Sequence, residues 1–107
     1  MAQRIAIIDF ETTGMSPAHG ARAAEVGIVM VENGRIVDRY QNLMNAGQRM
    51  PGFITQLTGI TTAMLQAAAP AEQVMREAAA FVGTAPLVAH NASFDSKFWL
   101  DELERLE

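Results

Sequence analysis

Ile5-Ala6-Ile7-Ile8-Asp9-Phe10-Glu11-Thr12-Thr13-Gly14 is the stretch from which the rest of this chain can be read. The apolar run Ile5–Ile8 predicts a buried strand over about Arg4 to Phe10, because it is short, β-branched and bounded by polar residues. A strand sends successive side chains to opposite faces, so Asp9 and Glu11 share one face while Phe10 points to the other. Two carboxylates about 7 Å apart on one face repel each other unless a cation lies between them. Oxygen donors at that spacing suit a hard ion, Mg²⁺ or Mn²⁺, better than zinc. A bare Asp-x-Glu also describes a strand that runs into a solvated acidic loop. Thr12-Thr13-Gly14 weighs against that reading, since it sets hydroxyls and a permissive backbone beside the carboxylates.

The chain's 107 residues form one domain at most, and half of them are hydrophobic, enough for a packed core. With no cysteine, disulfides and thiolate metal sites are excluded, and the composition fits a reducing, cytoplasmic setting. No apolar stretch approaches the roughly 20 residues of a membrane span, and Asp9 and Glu11 interrupt what would be a signal peptide's apolar region. The net charge of −4 argues against generic electrostatic binding to nucleic acid. It leaves room for an enzyme whose metal ions supply positive charge locally.

Past a Gly-, Pro- and Ser-containing loop (12–22), Ala24–Glu32 predicts a second strand with Val26, Ile28 and Met30 on one face. Asn33-Gly34 is a strong hairpin signal and makes Arg35–Leu43 an antiparallel third strand, its pattern suited to a half-exposed edge. Two short helices are expected around Phe53–Leu57 and Thr62–Gln66, with Gly59 ending the first and Thr61 capping the second. Pro70 suits the first turn of a helix that runs to about Val82, with Val74, Ala78, Phe81 and Val82 as its apolar stripe and Gly83 as its stop. Leu87–His90 predicts a short buried strand, and Asn91 the cap of a last helix over about Ala92–Leu106. A helix crossing between the first and fourth strands makes those two parallel, and the whole an α/β fold with a mixed sheet. Glu102, Glu104 and Glu107 crowd the end of the last helix, where the dipole prefers cations, and no stop signal follows. The expectation is a polypeptide that continues beyond Glu107.

His90-Asn91-Ala92-Ser93-Phe94-Asp95 joins that fourth strand to the last helix, the place where open α/β sheets bind ligands. Asp95 falls in the helix's first turn, where a carboxylate is favoured as an ordinary first-turn charge. Set beside the first segment, it also lets Asp9, Glu11 and Asp95 surround one divalent-cation site.

Together these two segments resemble the first and second motifs of the DEDDh 3′–5′ exonucleases, with Ala24-Glu25-Val26-Gly27 and Leu57-Thr58-Gly59-Ile60-Thr61 between them in matching order. The likeness covers nearly the whole chain and points to the proofreading branch, the epsilon subunit of bacterial replicative polymerase and its stand-alone relatives. It implies a ribonuclease H-like fold and removal of nucleotides from 3′ ends by two-metal hydrolysis, with two Mg²⁺ or Mn²⁺ ions. By the same likeness, Asp9 bridges both ions, Glu11 holds the water-activating ion and Asp95 serves the second. Thr12, Thr13 and Gly14 would offer donors to the terminal nucleotide, while Met15, Gly59 and Ile60 would pack against its base or sugar. For Met15 and Ile60, ordinary core packing is the alternative. His90 and Asn91 would support the strand end beside the substrate.

One part of the family pattern is missing. The third motif, a histidine followed about five residues later by an aspartate, has no counterpart, and the only histidines are His19 and His90. His19 lies in the variable loop and His90 in the second motif, so neither suits the water-activating base. The resemblance therefore implies a single exonuclease domain, residues 1–107, incomplete at its C-terminal end and inactive alone. Its expected partner is the 3′ end of single-stranded DNA, with RNA as an alternative substrate and a polymerase subunit as a second partner. Two other readings stay open: a non-catalytic module that binds nucleic acid or a polymerase, and a fragment that self-associates through its exposed fourth strand.

Overall fold

In the computed structural model, which describes residues 3–107, the chain builds one four-stranded sheet in the order β3-β2-β1-β4. Strands β1 (Arg4–Thr12), β2 (Ala23–Glu32) and β3 (Arg35–Leu43) are antiparallel neighbours, and β4 (Leu87–Val88) runs parallel to β1. The β2–β3 hairpin turns at Asn33 and Gly34, whose φ angles of 54° and 75° are the left-handed pair that a tight two-residue turn requires. This is the mixed sheet that the sequence predicts, with β1 in its interior.

Alternation along the strands decides which face is covered. Ala6, Ile8 and Phe10 of β1 and Val26, Ile28 and Met30 of β2 are all buried on one face. Two helices cover that face: α3 (Ala71–Val82) brings Val74, Met75, Ala78 and Val82, and α4 (Ala92–Glu104) brings Phe98. Phe98 is fully buried, its ring 6.5 Å from that of Phe10 and 5.0 Å from that of Phe94. The α3 stripe includes Met75 in place of the expected Phe81, which lies only partly buried against Tyr40. The opposite face, carrying Ile5, Ile7, Asp9 and Glu11, stays partly open to water.

The short helices α1 (Gly52–Thr58) and α2 (Thr62–Ala67) form a second, smaller cluster in which Met50, Ile60 and Leu65 pack on Ala24. Ala24 reaches that cluster because β2 bulges there: Glu11 faces Glu25, but Thr12 faces Ala23. Thr61 caps α2 by accepting from Met64 N, and Gly59, in the left-handed region, ends α1. Asn45 fixes the start of α3 by exchanging backbone hydrogen bonds with Ala69 and Ala71, both at 2.9 Å.

Three further expectations need correction. The fourth strand is two residues long rather than four, and Leu87 and Val88 are exposed rather than buried, because β4 pairs with β1 alone at the sheet edge. Asn91 precedes α4 but makes no side-chain cap; its carbonyl accepts from Phe94 N and Asp95 N instead. Glu102 is not a misplaced surface charge but a buried carboxylate, bonded to both Nε and Nη2 of Arg22 and to Ala23 N. Its partners compensate what the helix dipole does not.

Phe98 is fully buried and its ring makes the aromatic contact between α4 and the sheet, so Phe98→Ala is expected to cost about 3–5 kcal/mol. Urea unfolding of wild type and variant, compared by midpoint at equal slope, measures it.

Candidate active site

The site grows from the end of β1. Phe10 N–H points toward the β4 side of the sheet, as does Ala6 N–H, which donates to Pro86 O at 2.9 Å. Because β4 has already ended, the Phe10 N–H finds no strand partner on that side. Asp95 Oδ1 takes that place and accepts from Phe10 N at 3.0 Å. The first turn of α4 thus continues the ladder that β4 abandons, and brings a carboxylate from 85 residues away against the strand bearing Asp9 and Glu11. Asp9 is exposed, Glu11 half-buried, and Asp95 only 2% exposed.

Electrostatics show how crowded these acids are. Partial burial, then the negative charges of Asp9, Glu25 and Asp95, hold the Glu11 carboxyl above its ordinary range. Asp95 is also raised: burial dominates, the Phe10 hydrogen bond opposes it, Asp9 adds to it and His90 subtracts from it. The first-turn position expected to favour an ionised Asp95 is thus outweighed by desolvation. Glu25 lies directly opposite Glu11 on β2, and nothing in its local sequence marks it as a site residue. Like charges facing across strands are unfavourable, and that pairing becomes visible only once the register is known.

Beside the carboxylates lies an open groove of about 600 Å³, walled by Glu11, Thr12, Gly14 and Met15 on one side and by Phe53, Leu57 and Thr58 of α1 on the other. Met15, Phe53 and Leu57 are 79%, 68% and 81% exposed, so three apolar side chains face water at its rim. Met15 is therefore a groove residue and not part of the core. Ile60 is the reverse: it is buried with Met50 and Leu65, and neither it nor Gly59 lines the groove. The apolar wall comes instead from Phe53 and Leu57, a helical i, i+4 pair whose spacing marks a shared face.

The two threonines differ from the expectation as well. Thr12 Oγ1 donates to Gly14 O at 2.6 Å. Thr13 Oγ1 donates to Gln48 Oε1, in the segment before α1, and accepts from Arg22 N, so both hydroxyls already have protein partners. His90 and Asn91 are exposed at the start of α4, and His19 is exposed in a turn of 3-10 helix (Pro17–His19).

The donor set is all oxygen, which fits a hard divalent cation. Among the described residues, however, no three His, Cys, Asp or Glu side chains converge closely enough to hold an ion.

Comparison with known proteins shows the family. Residues 6–107 match the family model described as Exonuclease, and the chain belongs to that family. It is 40% identical over 103 residues to the 3′-5′ exonuclease DinG of Bacillus subtilis, covering 96% of this chain and 11% of the relative. It is 44% identical over 92 residues to the PolC-type DNA polymerase III of Halalkalibacterium halodurans, covering 86% and 6%. The chain thus spans about a tenth or less of the length of these relatives. A product-bound structure of exonuclease I superposes with a TM-score of 0.85 at 16% identity, over 97% of this chain and 26% of that one. The shared fold is ribonuclease H-like, as the motifs imply.

A carboxyl whose pKa is raised by folding binds its proton more tightly in the native state. Its contribution is therefore fully present below its unfolded pKa, about 4, and is lost as pH rises through the folded value. Asp95→Asn keeps an oxygen for the Phe10 amide and buries no charge. Relative to wild type, that variant should gain stability as pH rises from about 4 to 7 in metal-free buffer, as read from urea midpoints along the pH series. A variant that loses stability over that range would contradict the burial argument.

Proposed function

We propose that this chain acts in the hydrolysis of DNA from its 3′ end, as the metal-binding part of a 3′–5′ exonuclease serving proofreading or repair. The observation that supports it best is the hydrogen bond from Phe10 to Asp95, which brings a third carboxylate against the strand bearing Asp9 and Glu11, the last of which lines an apolar groove. Asp9 and Glu11 project from the open face of β1 and would hold the ions, and Asp95 would add its free Oδ2. Two Mg²⁺ or Mn²⁺ ions, when bound, would activate water and stabilise the leaving oxygen.

The remaining residues position the substrate. Met15, Phe53 and Leu57 present an apolar wall on which a terminal base can stack, and stacking on such surfaces is tolerant of sequence. Gly14 lets the backbone come close to the nucleotide. Thr12 and Thr13 act by fixing the loop that carries Gly14 and Met15, while His90 and Asn91, exposed just before α4 and near Asp95, would meet the substrate there. The proofreading branch of the family and the PolC-type relatives favour DNA over RNA, a polymerase subunit as partner and a cytoplasmic setting. A complex of exonuclease I with a dA16 oligonucleotide has the same fold and fits a single-stranded substrate. Among the described residues no helix is long and apolar enough to cross a membrane.

The third motif remains without a counterpart. Loss of a general base typically costs about 10²–10⁴-fold, so the 107 residues alone should digest a 3′-labelled single-stranded oligonucleotide at least that much more slowly than a domain carrying all three motifs. Turnover at the full rate, abolished by Asp9→Ala, would refute this.

Calorimetric titration with Mn²⁺ tests the site itself: wild type should bind, and Glu11→Ala should bind far more weakly. No binding by wild type would favour a non-catalytic module. For the groove, Phe53→Ala should weaken binding of a short oligothymidylate in Mn²⁺ by about 1–3 kcal/mol, read by fluorescence anisotropy. Its melting temperature should hardly change, because Phe53 is exposed.

A further inference from the structure

Apart from Asp95, Glu102 is the only buried carboxylate among the described residues, and nothing in the proposed chemistry uses it. Its Oε2 and Oε1 accept from Arg22 Nε and Nη2, both at 2.9 Å, and Oε2 also accepts from Ala23 N at 3.1 Å. Arg22 is largely covered too, with 17% of its side chain exposed. A buried ion pair is a poor device for stability alone, since apolar residues of similar volume commonly do as well or better. What a two-pronged guanidinium–carboxylate pair does provide is direction, because both hydrogen bonds must align at once.

We propose that Arg22 and Glu102 are a positioning pair that sets Asp95 against the strand carrying Asp9 and Glu11; this deepens the metal-site reading above and rests on it. Asp95 and Glu102 lie two turns apart on α4, about 10 Å along the axis, with Phe98 between them on the same buried face. Phe98 supplies apolar contact, which tolerates small sliding and rotation of the helix. The fork at Glu102 does not tolerate them, so it fixes the helix at one end and thereby the Asp95 carboxylate at the other.

Arg22 also reaches the other half of the site. Its N–H donates to Thr13 Oγ1 at 3.0 Å, and its carbonyl accepts from Thr13 N at 2.9 Å. Thr13 lies just past Glu11, beside the bulge at Glu11/Thr12. One residue thus ties the end of β1 to the helix bearing Asp95. A displacement of α4 would separate Asp95 from Phe10 before it disturbed the rest of the sheet.

Two variants test this on the full 107-residue chain. Arg22→Lys keeps the charge but not the fork. Arg22→Met combined with Glu102→Gln removes both charges while leaving an oxygen for the Ala23 amide. The readouts are cooperative unfolding, amide hydrogen exchange of Phe10 against Ala6 on the same ladder, and Mn²⁺ affinity. The expected result is a chain that still unfolds in one transition, with Phe10 exchanging about tenfold faster, Ala6 unchanged, and Mn²⁺ affinity lowered about tenfold or more. Wild-type Phe10 protection and Mn²⁺ affinity in both variants would overturn the proposal. If wild type itself binds no Mn²⁺, the metal-site reading fails, and Phe10 exchange decides alone. Faster exchange in the variants then sustains the positioning role, and unchanged exchange overturns it.

Discussion

Helix α4 is held to the sheet by two buried carboxylates that accept backbone amides from two different strands. Asp95 takes the Phe10 amide of β1, and Glu102 takes the Ala23 amide of β2 together with the Arg22 guanidinium. Much else depends on this arrangement. It satisfies an amide that β4 is too short to reach, it places Phe98 in the core, and it draws a late segment of the chain against the first strand. A buried polar group without a partner costs heavily, so each of these acids is held where its partner is.

The same arrangement concentrates negative charge at the end of β1. Burial, then the charges of Asp9, Glu25 and Asp95, hold the Glu11 carboxyl above its ordinary range, and burial with the charge of Asp9 raises Asp95. The fold tolerates this because the rest of the core, from Ala6 and Ile8 through Val26, Val74 and Phe98, is apolar and tightly buried. A site that is electrostatically unfavourable when empty is one that a divalent cation would stabilise on binding. That link between strain and function is common where proteins hold charge for chemistry.

Much of this was legible in the sequence, and the failures are instructive. The three central strands, the Asn33-Gly34 turn, the Gly59 and Thr61 helix boundaries and the 3.6-residue stripe of α3 all follow from local periodicity and turn chemistry. Leu87 and Val88 read as buried in the sequence yet are exposed, because an apolar run does not reveal whether anything lies against it. Ile60 and Met15 were ambiguous for a related reason: both are apolar residues next to glycine, and only packing shows that one is core and the other rim. The Phe53–Leu57 pair carried a readable signal in its spacing but no indication of what its face would meet.

The sequence by itself determined that Asp9 and Glu11 share a strand face and that Asp95 opens a helix, since both follow from the fixed geometry of one element. Family membership followed from the order of such local motifs along the chain. Tertiary structure alone decided that Asp95 caps Phe10, that Glu25 faces Glu11, and that Glu102 is buried on Arg22. Each of these joins residues from different elements. Their meeting depends on register, strand length and helix docking, which no single segment encodes.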